Sequence, residues 1–140
     1  MPEILHLLKI DAPAESVYEA VTDRDGLASW WTRDTEGTGE VGSLTKFGFN
    51  DRETVFEMEV TKLDPGNRVE WRCLDGHQEW EGTDLFFGLE REGDRTVLRF
   101  GHTGWESTEG ILPLCSYNWA RYLASLKSYV ETGEGDPWSG

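Results

Sequence analysis

Between Ile111 and Glu131 the residues Cys115, Trp119, Tyr122, Leu126 and Val130 recur at steps of four, three, four and four. That spacing draws one apolar stripe along an α-helix. The preceding stretch, from about Ser43 to His102, instead alternates apolar and polar positions as a train of antiparallel strands. Neither a helix stripe nor a sheet face can be buried alone, so one long helix after a run of strands must lie across the concave face of their sheet. The expected class is α+β. A curved antiparallel sheet of about six or seven strands surrounds the long C-terminal helix, and two short helices follow the first strand.

Along the chain, Glu3 to Ile10 reads as the first strand, with Ile4, His6, Leu8 and Ile10 on one face. Pro13 fits the first helical position and Glu15 the positive helix end, so a helix opens there with Val17, Ala20 and Val21 inside. A second short helix is expected from Arg24 to Trp31, with Asp23 as N-cap and Leu27, Trp30 and Trp31 as its apolar face. Residues 32–42 read as a polar, glycine-rich loop. Phe47 and Phe49 then share a strand face ahead of an Asn50-Asp51 turn, and Phe56, Met58 and Val60 follow on the next strand. Asp64-Pro65-Gly66-Asn67 is the strongest turn signal, and Val69, Trp71 and Cys73 alternate after it. A strand from Trp80 to Glu90 puts Leu85, Phe87 and Leu89 in phase. Trp80 is out of phase with them, so a bulge is expected near Gly82. After the turn at Gly93, Leu98, Phe100 and His102 share the last inner face. Pro113 prevents the final helix from starting well before Gly110, and Gly133 ends it. Residues 1–133 read as a single domain and 134–140 as a flexible tail.

The chain's 140 residues suffice for a core, and 12% aromatics, seven Trp among them, exclude disorder over most of its length. A formal charge of −14 argues against nucleic acid and against an electrostatic dock on an anionic membrane. The opening residues lack the basic region and long apolar run of a signal peptide, and no stretch approaches the ~18 apolar residues of a membrane span. Cys73 and Cys115 have no paired spacing and read as buried, reduced thiols of a cytoplasmic protein.

Gly37, Gly39 and Gly42 match the dinucleotide fingerprint letter for letter. That motif holds pyrophosphate only where it follows a strand and opens a helix. Here it follows a helix and opens a strand, so it reads as a loop. His6, His77 and His102 lack the spacing of a metal site. His102, pointed inward by strand parity, reads as a satisfied core histidine or as a polar anchor for a ligand. Glu57 and Glu59 alternate with apolar residues and read as solvated outer-face groups. The abundant Trp and Phe divide between core packing and the walls of a cavity.

The order strand, two short helices, antiparallel strands, long helix resembles the helix-grip fold of the START/Bet v 1-like (SRPBCC) superfamily. The segment Ile10 to Asp23, followed by Leu27-Ala28-Ser29-Trp30-Trp31, resembles the opening of the family named after the heat shock protein 90 ATPase activator. Glu57 to Trp71 is similar to that family's middle hairpin, Thr96 to Trp105 to its last strand and loop, and Trp119 to Gly133 to its final helix. The resemblance implies an internal cavity between sheet and C-terminal helix for a hydrophobic or amphipathic small molecule, lipids included.

The expected function is binding of such a ligand, with Trp31, Phe47, Phe56, Met58, Trp71, Phe87, Phe100, His102, Cys115 and Trp119 lining the cavity. No catalytic residue, metal ligand or cofactor is assigned. The alternatives are an enzyme of the polyketide cyclase or hydrolase type using the same cavity, with His102 as acid or base, and a co-chaperone-like protein-binding module. The expected partners are the small molecule and, as an open case, a second copy of the chain; nucleic acid and membrane insertion are not expected.

Overall fold

Local sequence sets each reversal of the chain. The computed structural model describes residues 2–138. Its elements are β1 (Ile4–Ile10), α1 (Ala14–Thr22), α2 (Arg24–Trp30), β2 (Thr35–Glu36), β3 (Leu44–Phe49), β4 (Thr54–Asp64), β5 (Arg68–Asp75), β6 (Asp84–Glu92), β7 (Arg95–Thr103) and α3 (Leu112–Thr132). Pro65 and Gly66, the latter at φ 76°, turn β4 into β5, and Asn67 N–H bonds the Asp64 carbonyl at 2.9 Å. Such turns give one seven-stranded sheet in the order β1-β7-β6-β5-β4-β3-β2, antiparallel at every junction. Register shifts at Glu57/Met58 and Val60/Lys62 bend β4.

The parity expected for the inner face holds: Leu85, Phe87 and Leu89 on β6 and Leu98, Phe100 and His102 on β7 are all buried. Against that face lies α3, which buries Cys115, Trp119, Leu123, Ser125 and Leu126. Tyr122 and Val130 of the expected stripe are half-buried at its margins. The helix begins at Leu112, beside Pro113, and Gly133 closes it at φ 89°, a conformation that favours glycine.

Several local expectations are corrected. Trp80 is not on a strand; it lies in a turn over 77–82, where its N–H bonds the His77 carbonyl at 2.8 Å. The bulge at Gly82 is present, because Gly82 N–H and the Thr83 carbonyl both bond the single residue Cys73, with Gly82 at φ 82°. The loop over 32–42 contains the two-residue strand β2. Pro13 is the N-cap of α1 rather than its first helical residue, and Asp23 occupies the N-cap of α2 without a side-chain bond. Residues 134–138, expected as a frayed tail, run back over α2: Asp136 N–H bonds Ser125 Oγ at 2.6 Å and Trp138 N–H bonds the Trp31 carbonyl at 2.8 Å. Residues 139–140 of that expected tail, like Met1, lie outside the described residues.

Candidate ligand cavity

The helix cannot lie flat on the sheet where bulky rings stand between them. A cavity of about 180 Å³ remains under the N-terminal half of α3, lined by Trp31, Phe49, Phe56, Trp80, Ile111, Cys115, Asn118, Trp119 and Tyr122. Four elements build it. α3 contributes Cys115, Asn118, Trp119 and Tyr122, which fall on one helical face at steps of three, one and three. The β3–β4 hairpin supplies Phe49 and Phe56, whose rings meet edge to face at 5.7 Å. Trp31 follows α2, and Trp80 comes from the 77–82 turn, 4.2 Å from Phe56 between centroids. Trp119 stands between Trp31 at 5.0 Å and Trp80 at 6.0 Å.

The polar groups at the wall are few, and two of the three indole N–H groups are committed. The Trp80 indole N–H donates to Cys115 Sγ at 3.3 Å, and that of Trp119 to His102 Nδ1 at 3.2 Å. Among the described residues no acceptor serves the Trp31 indole, and no side-chain N or O is both sealed from solvent and unpaired. The Trp31 N–H therefore joins the Asn118 amide and the Tyr122 hydroxyl as a group a ligand can use. Burial raises the pKa of Tyr122 and of the Cys115 thiol, so both are neutral near pH 7.

His102 is directly behind this wall. An indole N–H can only donate, so Nδ1 of His102 is the acceptor and the ring proton sits on Nε2. Nε2 then donates to Thr83 Oγ1 at 2.8 Å, and that hydroxyl donates onward to the Trp80 carbonyl at 2.5 Å. Trp105 N–H bonds the His102 carbonyl at 3.0 Å. Burial pushes the ring's pKa down to about 3, so it is neutral at pH 7. With both nitrogens engaged, it positions Trp80, Thr83 and Trp119 and offers no free atom to the cavity.

The sequence pattern of the family described as "Activator of Hsp90 ATPase homolog 1-like protein" matches residues 11–131. This chain belongs to that family. A solution structure of the Aha1 dimer from Colwellia psychrerythraea is 40% identical, covers 96% of this chain and 100% of that chain, and superposes with a TM-score of 0.88. Two more distant structures share the fold. MLL2253 from Mesorhizobium loti is 18% identical, covering 91% of this chain and 95% of its own, with a TM-score of 0.81. CalU16 from Micromonospora echinospora is 19% identical, covering 96% and 76%, with a TM-score of 0.78. No protein with a curated description matches in sequence. The fold common to these three structures is the helix-grip arrangement expected from the sequence.

Of the ten residues expected to line the cavity, Trp31, Phe56, Cys115 and Trp119 do so. Phe47, Met58, Trp71, Phe87, Phe100 and His102 are buried one layer deeper, where they fill the core beneath it. Sequence reasoning missed Phe49, Trp80, Ile111, Asn118 and Tyr122. Two of these were legible: Phe49 shares strand parity with Phe47, and Asn118 falls in the helical face of Cys115 and Tyr122. Trp80 was hidden, because its position depends on a turn that strand alternation does not describe. Among the described residues no group of His, Cys, Asp and Glu has the geometry to hold a metal ion, and no helix is long and apolar enough to cross a membrane.

Proposed function

We propose that this protein binds a small, largely apolar aromatic molecule between α3 and the sheet. The observation that carries this reading is the cavity itself, about 180 Å³ walled by aromatic rings with a few polar groups at its rim. An engineered apolar cavity of about 150 Å³ accepts benzene, whereas drug-sized ligands occupy about 300–1,000 Å³. The occupant is therefore on the order of ten non-hydrogen atoms, a one- or two-ring compound rather than a long-chain lipid. Its ring lies among Trp31, Trp80 and Trp119, and a hydroxyl or carbonyl meets Asn118 or the Trp31 N–H. The lining holds no carboxylate and no free imidazole, which supports binding over turnover.

Titration with 1-naphthol tests this. Saturable quenching of tryptophan emission, weakened at least tenfold by Cys115→Phe, which fills the space, supports the reading. Equal binding of 1-naphthol to wild type and Cys115→Phe, or tighter binding of palmitate than of 1-naphthol, overturns it. The protein also acts as a homodimer in this proposal, supported by the dimeric state of the relative that is 40% identical. Sedimentation equilibrium showing monomer at all concentrations would remove that part.

A further inference from the structure

The two edges of the sheet are unlike. β2 is two residues long and beset by charge, with Arg52 bridging Asp34 and Glu36 at 2.7 Å each. Shortness and charge are ways of keeping an edge from pairing. β1, the other edge, has seven residues and an unbroken ladder with β7. Two leucines on its outer face, Leu5 and Leu7, are 61% and 53% exposed.

Backbone groups alternate in direction along a strand. The Lys9 carbonyl accepts from Lys127 Nζ at 2.8 Å, and Asp11 N–H donates to Glu131 Oε2 at 2.7 Å. Both groups belong to odd-numbered residues, and both bonds go to α3 rather than to β7. The odd-numbered backbone groups of β1 thus point off the edge, capped by α3 at the Lys9 end and open at Leu5 and Leu7. The odd-numbered side chains Glu3, Leu5, Leu7 and Lys9 are all exposed. In order they run acid, leucine, leucine, base, a pattern complementary to its own reverse.

We propose that two copies of this chain pair antiparallel through β1, about a two-fold axis at His6. This rests on the homodimer reading above and assigns its surface. The register sets Leu5 against the partner's Leu7 and Glu3 against the partner's Lys9, each twice by symmetry. It also sets the open backbone groups of Leu5 and Leu7 against the partner's Leu7 and Leu5, leaving the Lys9 carbonyl on Lys127 and Lys9 to meet the partner's Glu3 through its side chain. An axis at Leu5 would set Glu3 against the partner's Leu7, and one at Leu7 would set Leu5 against the partner's Lys9; both lose the charge match. The four leucines continue onto Phe86, whose ring covers Gly101, the β7 residue paired with Leu5. Lys9 now meets Glu92 at 3.2 Å in an exposed pair, which costs little to exchange.

Sedimentation velocity on wild type, Glu3→Lys, Lys9→Glu and an equimolar mixture of the two variants tests this interface. Each single variant replaces two opposite-charge pairs by two like-charge pairs and weakens self-association about tenfold or more. In the mixture every cross-strand pair is again opposite, so heterodimer forms at concentrations where neither variant dimerises alone. Both positions are exposed, so unchanged circular dichroism establishes that the variants fold. A wild type that is monomeric at every concentration overturns the homodimer reading itself. A wild-type dimer whose variants associate as strongly as it does leaves that reading standing and overturns this interface. Weakening in both variants without recovery in the mixture overturns the register.

Discussion

Acid should unfold this protein through one imidazole. His102 is fully buried, and its pKa is pushed down to about 3 by that burial, while in an unfolded chain a histidine titrates near 6.5. Between those values the unfolded state binds a proton that the folded state refuses. Stability is therefore unaffected above about pH 6.5 and falls by about 1.4 kcal/mol per pH unit well below it. Near pH 3 the accumulated loss is roughly 4–5 kcal/mol, a large share of the 5–15 kcal/mol that is typical of a folded domain. Glu15, Asp34 and Glu36, held below the usual carboxylate range by Arg91, Arg52 and Arg52 respectively, add their own loss only at lower pH. The interval from pH 6 to pH 5 therefore isolates the histidine. His102→Gln preserves an acceptor for the Trp119 N–H and a donor to Thr83 but cannot titrate. Urea unfolding at steps of half a pH unit, followed by tryptophan emission, should show wild type losing about 1 kcal/mol more than the variant across that interval. Parallel pH profiles would refute the reasoning, as would a His102 ring that titrates near 6.5 by NMR in the folded state.

Trp119→Ala removes a ring that contacts Trp31, Trp80 and Phe100 and leaves His102 Nδ1 without its donor; urea unfolding should report a loss of roughly 3–5 kcal/mol. Burial pushes the Cys73 thiol up to about 12 and raises Cys115 as well, so Ellman's reagent at pH 8 should label neither thiol in the folded protein and both in urea. Gly39→Ala forces a side chain onto a backbone at φ 77°, against the Thr22 carbonyl, and should cost about 1–3 kcal/mol by thermal unfolding. Calorimetry of the wild type with NAD or FAD should show no saturable heat, since Gly37, Gly39 and Gly42 lead into β3 and not into a helix.

The helix, the strand faces and most turns were legible because each rests on periodicity or on one residue with special backbone geometry. Leu98, Phe100 and His102 needed only alternation. The cavity was less legible, since parity says that a side chain points inward but not how deep it lies. Phe47 and Phe49 point the same way, yet Phe49 touches the open space and Phe47 sits beneath it. The return of residues 134–138 depends on Ser125, a polar residue within the helix whose hydroxyl donates to the Trp30 carbonyl at 2.8 Å and accepts from Asp136. Its burial looks unfavourable in sequence and is satisfied only by contacts distant in the chain. Trp80 reached the wall through a turn, and no alternation rule covers turns.

Six of the seven tryptophans stand within one unbroken chain of neighbours. From Trp30 the centroid steps run 6.2 Å to Trp31, 6.2 Å on to Trp71, and 5.0 Å from Trp31 to Trp119, then 6.0 Å to Trp80 and 6.3 Å to Trp105. At such separations excitation passes between neighbouring indoles, so the rings do not emit independently of one another. Deleting a single ring therefore alters the emission of its neighbours as well as removing its own. A molecule resting against Trp31, Trp80 and Trp119 drains light absorbed at Trp30, Trp71 and Trp105, which it never touches.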